Sequence, residues 1–449
     1  SAYLELDPPQ DLDEALNALA ILYHSVPSIT GYPVYLGDLD TLLEPFAAGV
    51  SADELERKIA LFLRLVDRTC QDGFVHADLG PQETRVGHAI LSAERRLKQV
   101  VPNWSLKYDP EVTPDALLLD AIETCFVVSK PHFVNHPAVV RDLGPEYSVA
   151  SCYNTLPLGG GSYTLPRVNI GRLVEEGLQA GHSPEQVVAE DVPAAARALL
   201  AVIAARVRFL VEESGFFATH FLVREGLIAR ERFTAMFGVV GLAEGVDRLL
   251  AAQGRKESRY GHSPEALELA LAILDGLRET AARTPIPYCD ATGGRALLHA
   301  QAGVSDDVGT TPGVRIPAGR EPDLLAHCLW MGRLHPYFPL GISDPMHFEP
   351  TVRANPQAVA DVIKGAFRSG MREFTFALAD SEFVRVTGYL VRRRDLAQYR
   401  RGEASRYDTT ALSVDPLKNQ GIDQRRRRSL DGFAGNGPAA HAESAAARS

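Results

Sequence analysis

Helix-period stretches alternate along this chain with short β-rich runs, and that alternation constrains the fold more than any single residue. "DLDEALNALAILYHSV", "SADELERKIALFLRLVDRTCQDG", "PDALLLDAIETCFVV" and "PAAARALLAVIAARVRFLVEESG" carry apolar residues at helical spacing. Two further helices have legible starts: Ser263 before Pro264, and Asn355 before Pro356, each an N-cap residue followed by proline in the first turn. Between them lie "YPVYLGDLD", "EYSVASCYN" and "REFTFAL", rich in β-branched and aromatic residues. The pattern predicts an α/β architecture. At 449 residues it fits two or three ordinary domains or one large barrel, and neither a fixed-period repeat nor an internal linker divides it.

Composition narrows the function. Charged residues make up 23% and the net charge is −11, which argues against a general nucleic-acid or acidic-membrane surface. No run of about twenty apolar residues occurs; the nearest candidate is interrupted by Arg197, Arg206 and Arg208. "SAYLELDPPQ" lacks the basic start and apolar run of a secretory signal, and the opening at Ser1 reads as an incomplete N-terminus. Five scattered cysteines, Cys70, Cys125, Cys152, Cys289 and Cys328, form no C-x-x-C pair and point to a reducing, cytoplasmic setting. Four of them read as small buried hydrophobes. From about Arg400 the chain turns arginine-rich and then becomes a Gly/Ala/Ser tail, so 401–449 is expected to be largely disordered and Arg425 to Arg428 a solvated charge cluster.

Two stretches resist a purely structural reading. "EFVRVTGYLVRRRD" reads as a strand with Gly388 at its centre, where glycine gives up the most backbone freedom on ordering. A bulge or a close backbone approach explains it blandly; a reaction that uses an α-carbon without a side chain explains it sharply. In "SVASCYNTLPLGGGSYTLPRVNIGRL", Cys152 follows a strand-like run and precedes a polar turn and three glycines. Three roles compete for it: a buried structural thiol, a thiolate nucleophile with a base partner, or a hydrogen-atom abstractor beside a radical source. Gly159 to Gly161 match neither phosphate-binding glycine pattern and are read as allowing tight turning and close approach to a substrate. His132 and His136 are bracketed by Pro131 and Pro137, so they are taken as loop histidines rather than a zinc pair. The chain holds no H-E-x-x-H or G-x-S-x-G, and Ser305 to Asp307 reads as a turn.

Taken together, the two stretches resemble glycyl radical enzymes, and most closely the YjjI family, relatives of anaerobic ribonucleotide reductase and pyruvate formate-lyase. "RVTGY" (Arg385 to Tyr389) is similar to the glycyl-radical motif, and "SCYNTLPLGGGSYTLPRVNIGRL" to the loop that carries the thiyl cysteine. The resemblance runs from "GYPVYLGDLDTLLEPF" to about Arg401. It implies a ten-stranded α/β barrel with peripheral helices over 1–400, a Cys loop at about 148–165 and a glycine loop at about 383–392. It further implies a radical stored on Gly388, a thiyl on Cys152, and activation by an S-adenosylmethionine/[4Fe-4S] enzyme. No permanently bound cofactor or metal is expected, and a homodimer is compatible with the superfamily.

The departures matter too. Asn154 stands where dehydratases and lyases of the superfamily carry a glutamate two residues after the cysteine. Ser151 replaces the second cysteine of pyruvate formate-lyase, and "MREFTFALADSEFV" lacks the cysteines of the reductase's zinc site. Reductase-like or formate-lyase-like chemistry is therefore the alternative reading, and a non-catalytic scaffold the third. The first expectation is hydrogen abstraction from a small polar metabolite. Asn154, Glu321 and His132 are candidate substrate contacts, each also readable as structural.

Overall fold

A computed structural model of the chain describes residues 1–30, 35–70, 75–150, 154–300, 309–385, 390–404 and 424–430. Its strands, in chain order, are β1 (Tyr35–Asp38), β2 (His76–Leu79), β3 (Asn103–Tyr108), β4 (His132–Asn135), β5 (Tyr147–Ala150), β6 (Asn154–Pro157), β7 (Gly161–Ser162) and β8 (Arg167–Asn169). They continue as β9 (Phe233–Thr234), β10 (Met236–Val240), β11 (Leu297–Ala300), β12 (Pro345–Phe348), β13 (Glu373–Leu378), β14 (Phe383–Arg385), β15 (Leu390–Arg392) and β16 (Arg427–Arg428).

The connecting helices form where their caps and apolar spacing predict. Ser51 Oγ accepts from the Glu54 amide at the start of Ala52–Thr69, and Asn355 Oδ1 accepts from the Ala358 amide at the start of Pro356–Arg368. Ser263 differs: its hydroxyl donates to the Arg259 carbonyl, so Pro264–Arg283 begins without a side-chain cap. Helix Pro356–Arg368 stops at Gly370, whose φ of 107° and 2.5 Å approach of a would-be Cβ to the Gly332 carbonyl leave no room for a side chain.

Strands β1 to β4 run parallel, β13 joins β4 antiparallel, and β12 lies parallel to β13. A second parallel set, β11-β10-β8, is connected to the segment leading into β12 by the Ala300 amide on the Gly341 carbonyl (3.0 Å). The two parallel sets are thus linked through the segment before β12. Strands β2, β3, β12 and β13 are buried along their length, as expected of a sheet enclosed on both faces.

Three expectations change here. The stretch around Gly388 is a hairpin of β14 and β15, with 386–389 between its arms, because Val384 pairs with Val391 and the sequence turns back on itself. His132 lies in a strand and His136 opens helix His136–Leu143, since Pro131 precedes β4 and Pro137 sits in the first turn of the helix, where proline is tolerated. Arg425 to Arg428 is not a solvated cluster: β16 pairs parallel with β12, Arg425 and Arg428 are buried, and Leu430 joins the core. Arg428 donates to His327 Nδ1, and His327 in turn pairs with Asp344. Among the described residues no helix is long and apolar enough to cross a membrane.

Candidate active site

The cysteine predicted to carry chemistry, Cys152, lies in 151–153, outside the described residues, but both arms that bear it are placed. β5 and β6 pair antiparallel, Ala150 opposite Asn154 and Tyr147 opposite Pro157. Buried barrel side chains grip each arm. On β5, the Ser148 hydroxyl (2.7 Å) and the Val149 amide (3.2 Å) both donate to Asp78 Oδ2 of β2. Lys107 of β3, fully buried, donates to the Tyr147 carbonyl (2.7 Å) and pairs with Asp38 (2.6 Å). On β6, the Thr155 hydroxyl donates to Glu373 Oε1 of β13 (3.3 Å) and its amide to the Leu340 carbonyl (3.0 Å). Leu156 packs with Met236 and Leu340, and Tyr35 and Leu297 close the cluster, so this hairpin touches strands of both parallel sets.

Gly388 lies in 386–389, also outside the described residues, and its arms are equally well anchored. The Phe383 amide donates to Ser381 Oγ (3.1 Å), which contacts Ser129 Oγ (2.9 Å). Arg385, 3% exposed, donates through Nη2 to the Ser129 carbonyl (2.9 Å). Ser129 is the left-handed C-cap of helix Asp115–Val128 (φ 56°), which turns that carbonyl toward the hairpin. Burial, with the Arg385 charge adding to it, pushes His76 down to about 3 and His132 well below the ordinary histidine range. Both imidazoles are therefore neutral at physiological pH.

The two hairpins share a wall. Alternate residues of a strand point to one face, about 6.7 Å apart, and three strands of the one sheet, β2, β4 and β13, present such a pair. β2 carries His76 beside Arg385 and Asp78 on the cysteine hairpin. β4 carries His132 beside Arg385, and Val134 in a cluster with Tyr147 and Val149 of the cysteine hairpin. β13 carries Thr375, bonded to His132 Nδ1 (3.0 Å), and Glu373, bonded to Thr155. One step along each strand thus separates the surroundings of Arg385 from those of β5 and β6.

Of the candidate contacts, His132 belongs to this wall. Asn154 pairs with Ala150, and its Oδ1 is buried with no hydrogen-bond partner among the described residues. Glu321 is elsewhere: its carboxylate accepts from the Gly319 amide (2.7 Å) and its carbonyl from Arg426 Nη1 (2.9 Å). It lines a cavity of about 190 Å³ with Arg315, Asp344 and Arg425, beside the C-terminal strand. The glycine run serves packing rather than substrate approach, since a Cβ on Gly160 would fall 1.9 Å from the Arg232 carbonyl. Cys70, Cys125, Cys289 and Cys328 are buried free thiols, as read from the sequence. Asp78, Lys107 and Glu373 were not singled out by sequence; their only signal is a charged residue inside a β-rich run.

The family model for YjjI-like glycyl radical enzymes matches residues 1–428. The chain belongs to that family. It is 44% identical over 429 residues to YjjI of Escherichia coli K12, covering 95% of this chain and 82% of that protein. It is also 44% identical over 411 residues to a Haemophilus influenzae protein, covering 91% and 79%. Among solved structures it is similar to hydroxyproline dehydratase (HypD) from Clostridioides difficile with trans-4-hydroxy-L-proline bound, at TM-score 0.73 and 14% identity over 94% of this chain and 68% of that one. The B12-independent glycerol dehydratase of Clostridium butyricum gives the same TM-score, identity and coverage. The anaerobic ribonucleotide reductase of Thermotoga maritima in complex with dATP and CTP follows at 0.68 and 14%, over 88% and 78%. The α/β architecture of this glycyl radical enzyme matches those barrels, and the resemblance extends past Arg401 to include β16.

Proposed function

We propose that this enzyme stores an unpaired electron on Gly388 and passes it to Cys152, which abstracts a hydrogen atom from a small polar substrate. The observation that carries the reading is the shared wall: on β2 and β4 the histidines that feel the Arg385 charge stand one step from Asp78 and Val134, which meet the cysteine hairpin, and on β13 Thr375, bonded to His132, stands one step from Glu373. In the forward step the S–H bond of Cys152 breaks and a Cα–H bond forms at Gly388, leaving a thiyl radical. The thiyl then takes hydrogen from a substrate C–H bond, and the reverse sequence restores both sites. A glycine is needed because the two flanking amides delocalise the electron only across a nearly planar α-carbon. The chain's own part is positioning and the exclusion of water and oxygen. Neutral His76 and His132 keep additional positive charge away from Arg385 at that wall.

The first radical would come from an S-adenosylmethionine/[4Fe-4S] activating enzyme, in an anaerobic cytoplasm. HypD and glycerol dehydratase act on small hydroxyl-bearing molecules, which supports a substrate of that size here. Anaerobic activation should give an electron paramagnetic resonance doublet that is absent in Gly388→Ala. In D2O the doublet should collapse as the Gly388 hydrogen exchanges through the Cys152 thiol. Cys152→Ser should keep the doublet and block the collapse. A doublet that collapses equally fast in Cys152→Ser would refute the transfer, and an intact backbone after proven activation and air exposure would refute the glycine site.

A further inference from the structure

The two carboxyls that hold the cysteine hairpin each commit one oxygen to it and keep the other. Asp78 uses Oδ2 for Ser148 and Val149, and Glu373 uses Oε1 for Thr155. Asp78 Oδ1 and Glu373 Oε2 are buried with no hydrogen-bond partner among the described residues, in side chains 0% and 2% exposed. An acceptor left in that condition is costly, and native structures pair such atoms with a ligand or an ordered water. The two lie on different strands of one sheet, Asp78 bonded to the β5 arm of the hairpin and Glu373 to the β6 arm. A third group is in the same condition: the Tyr35 hydroxyl of β1, the strand beside Asp78, is buried and without a partner among the described residues. Its side chain packs against the cluster that holds Leu156, the residue after Thr155, with Met236 and Leu340.

The chemistry of these atoms selects a ligand. Two carboxyls and a phenol accept or donate hydrogen bonds to hydroxyl groups. Of the nearby cations, Lys107 is engaged with Asp38, the Tyr147 carbonyl and Asp78 Oδ2, while Arg372 pairs with Asp142 through Nη1 and keeps Nη2 buried without a hydrogen-bond partner among the described residues. At Asp78 and Glu373 themselves a carboxylate or phosphate would meet carboxyls. An ammonium would gain little, because burial pushes Asp78 up to about 7 and Glu373 well above the usual carboxylate range, Asp78's charge adding to the rise at Glu373. We propose that Asp78, Glu373 and Tyr35 form a hydroxyl-binding site for an uncharged polyol or sugar, set against the arms β5 and β6. That this ligand is what Cys152 acts on rests on the reading above; its binding does not.

The test uses the full chain without activation, so no radical is required. Saturation-transfer NMR is run with glycerol, ribitol and ribose, and with pyruvate and glycerol 3-phosphate as anionic counterparts. At least one of the three uncharged compounds should bind, with affinity about tenfold weaker in Glu373→Ala, the scale of losing a hydrogen bond to a carboxyl group. Glu373→Gln, which keeps the shape and an acceptor, should lose less and serves if the alanine variant does not fold. The proposal is overturned if none of the three binds, if only the anions bind, or if both Glu373 variants bind as the wild type does. An absent radical doublet would refute the proposed function and leave this site standing, and the converse holds equally.

Discussion

Beneath the glycine hairpin lies a buried ion pair whose removal has a predictable cost. Lys130 Nζ and Glu94 Oε2 are 2.9 Å apart in side chains 0% and 1% exposed. Lys130 also donates to the Pro102 carbonyl, and Glu94 accepts from the Trp104 indole, both at 2.7 Å. Burial pushes the lysine down and the glutamate up, and their mutual attraction opposes both shifts. Glu94→Gln keeps an acceptor for Trp104 and removes only the charge, leaving a buried ammonium alone. Breaking such a pair costs about 3–5 kcal/mol. An unfolding entropy of about 2.1 cal/mol/K per residue gives roughly 0.9 kcal/mol/K for a chain of this length, so Tm should fall by about 3–5 °C. Calorimetry measures this directly. Adding Lys130→Met to Glu94→Gln should recover at least about 1 kcal/mol, because no charge is then stranded. A Tm change below about 1 °C in Glu94→Gln, or a double variant as unstable as the sum of the two single ones, would refute the argument. The consequence reaches the glycine hairpin, where the radical is proposed to reside, since Lys130 follows Ser129, whose carbonyl holds Arg385.

Two further predictions concern backbone and charge. Gly160→Ala should destabilise the fold by at least about 1–3 kcal/mol, because the obstructing atoms are the Arg232 backbone, whereas Gly365→Ala, with open space in a helix, should stabilise it by about 0.5–1 kcal/mol; urea midpoints decide both. Asp78 holds its proton to about pH 7 in the folded chain, against 3.8 for the free group, so its contribution favours the fold most at low pH and drains as pH rises through that window. Asp78→Asn should therefore show a flatter fall in stability between pH 4.5 and 7 than the wild type, and an identical difference at both pH values would count against the raised carboxyl.

The alternation of helical and β-rich segments was legible because periodicity and caps are local properties: Ser51 and Asn355 cap as read, and β5 and β13 fall on "EYSVAS" and "REFTFAL". What the sequence hid depends on distant partners. Four arginines in a row look solvated until β12 offers Arg427 and Arg428 a ladder and His327 takes the guanidinium of Arg428. Glu373 looks like any polar residue opening a strand, because its partner Thr155 is 218 residues away. The prolines around His132 and His136 suggested a loop, yet they sit where a strand begins and a helix opens, positions that tolerate proline. The two motifs that carried the family resemblance were the easiest to read, since a glycine between β-branched runs and a cysteine before a glycine run are conspicuous without any tertiary knowledge.

The return of the chain to β12 bears on how oxygen damage would look from outside. A backbone cut at Gly388 would separate a piece that contains β15, still laddered to β14, and β16, still laddered to β12, with Leu430 seated among core side chains. Severed covalently, that piece remains fastened at two places. A damaged molecule would elute from a sizing column with intact ones and betray the break only once denatured.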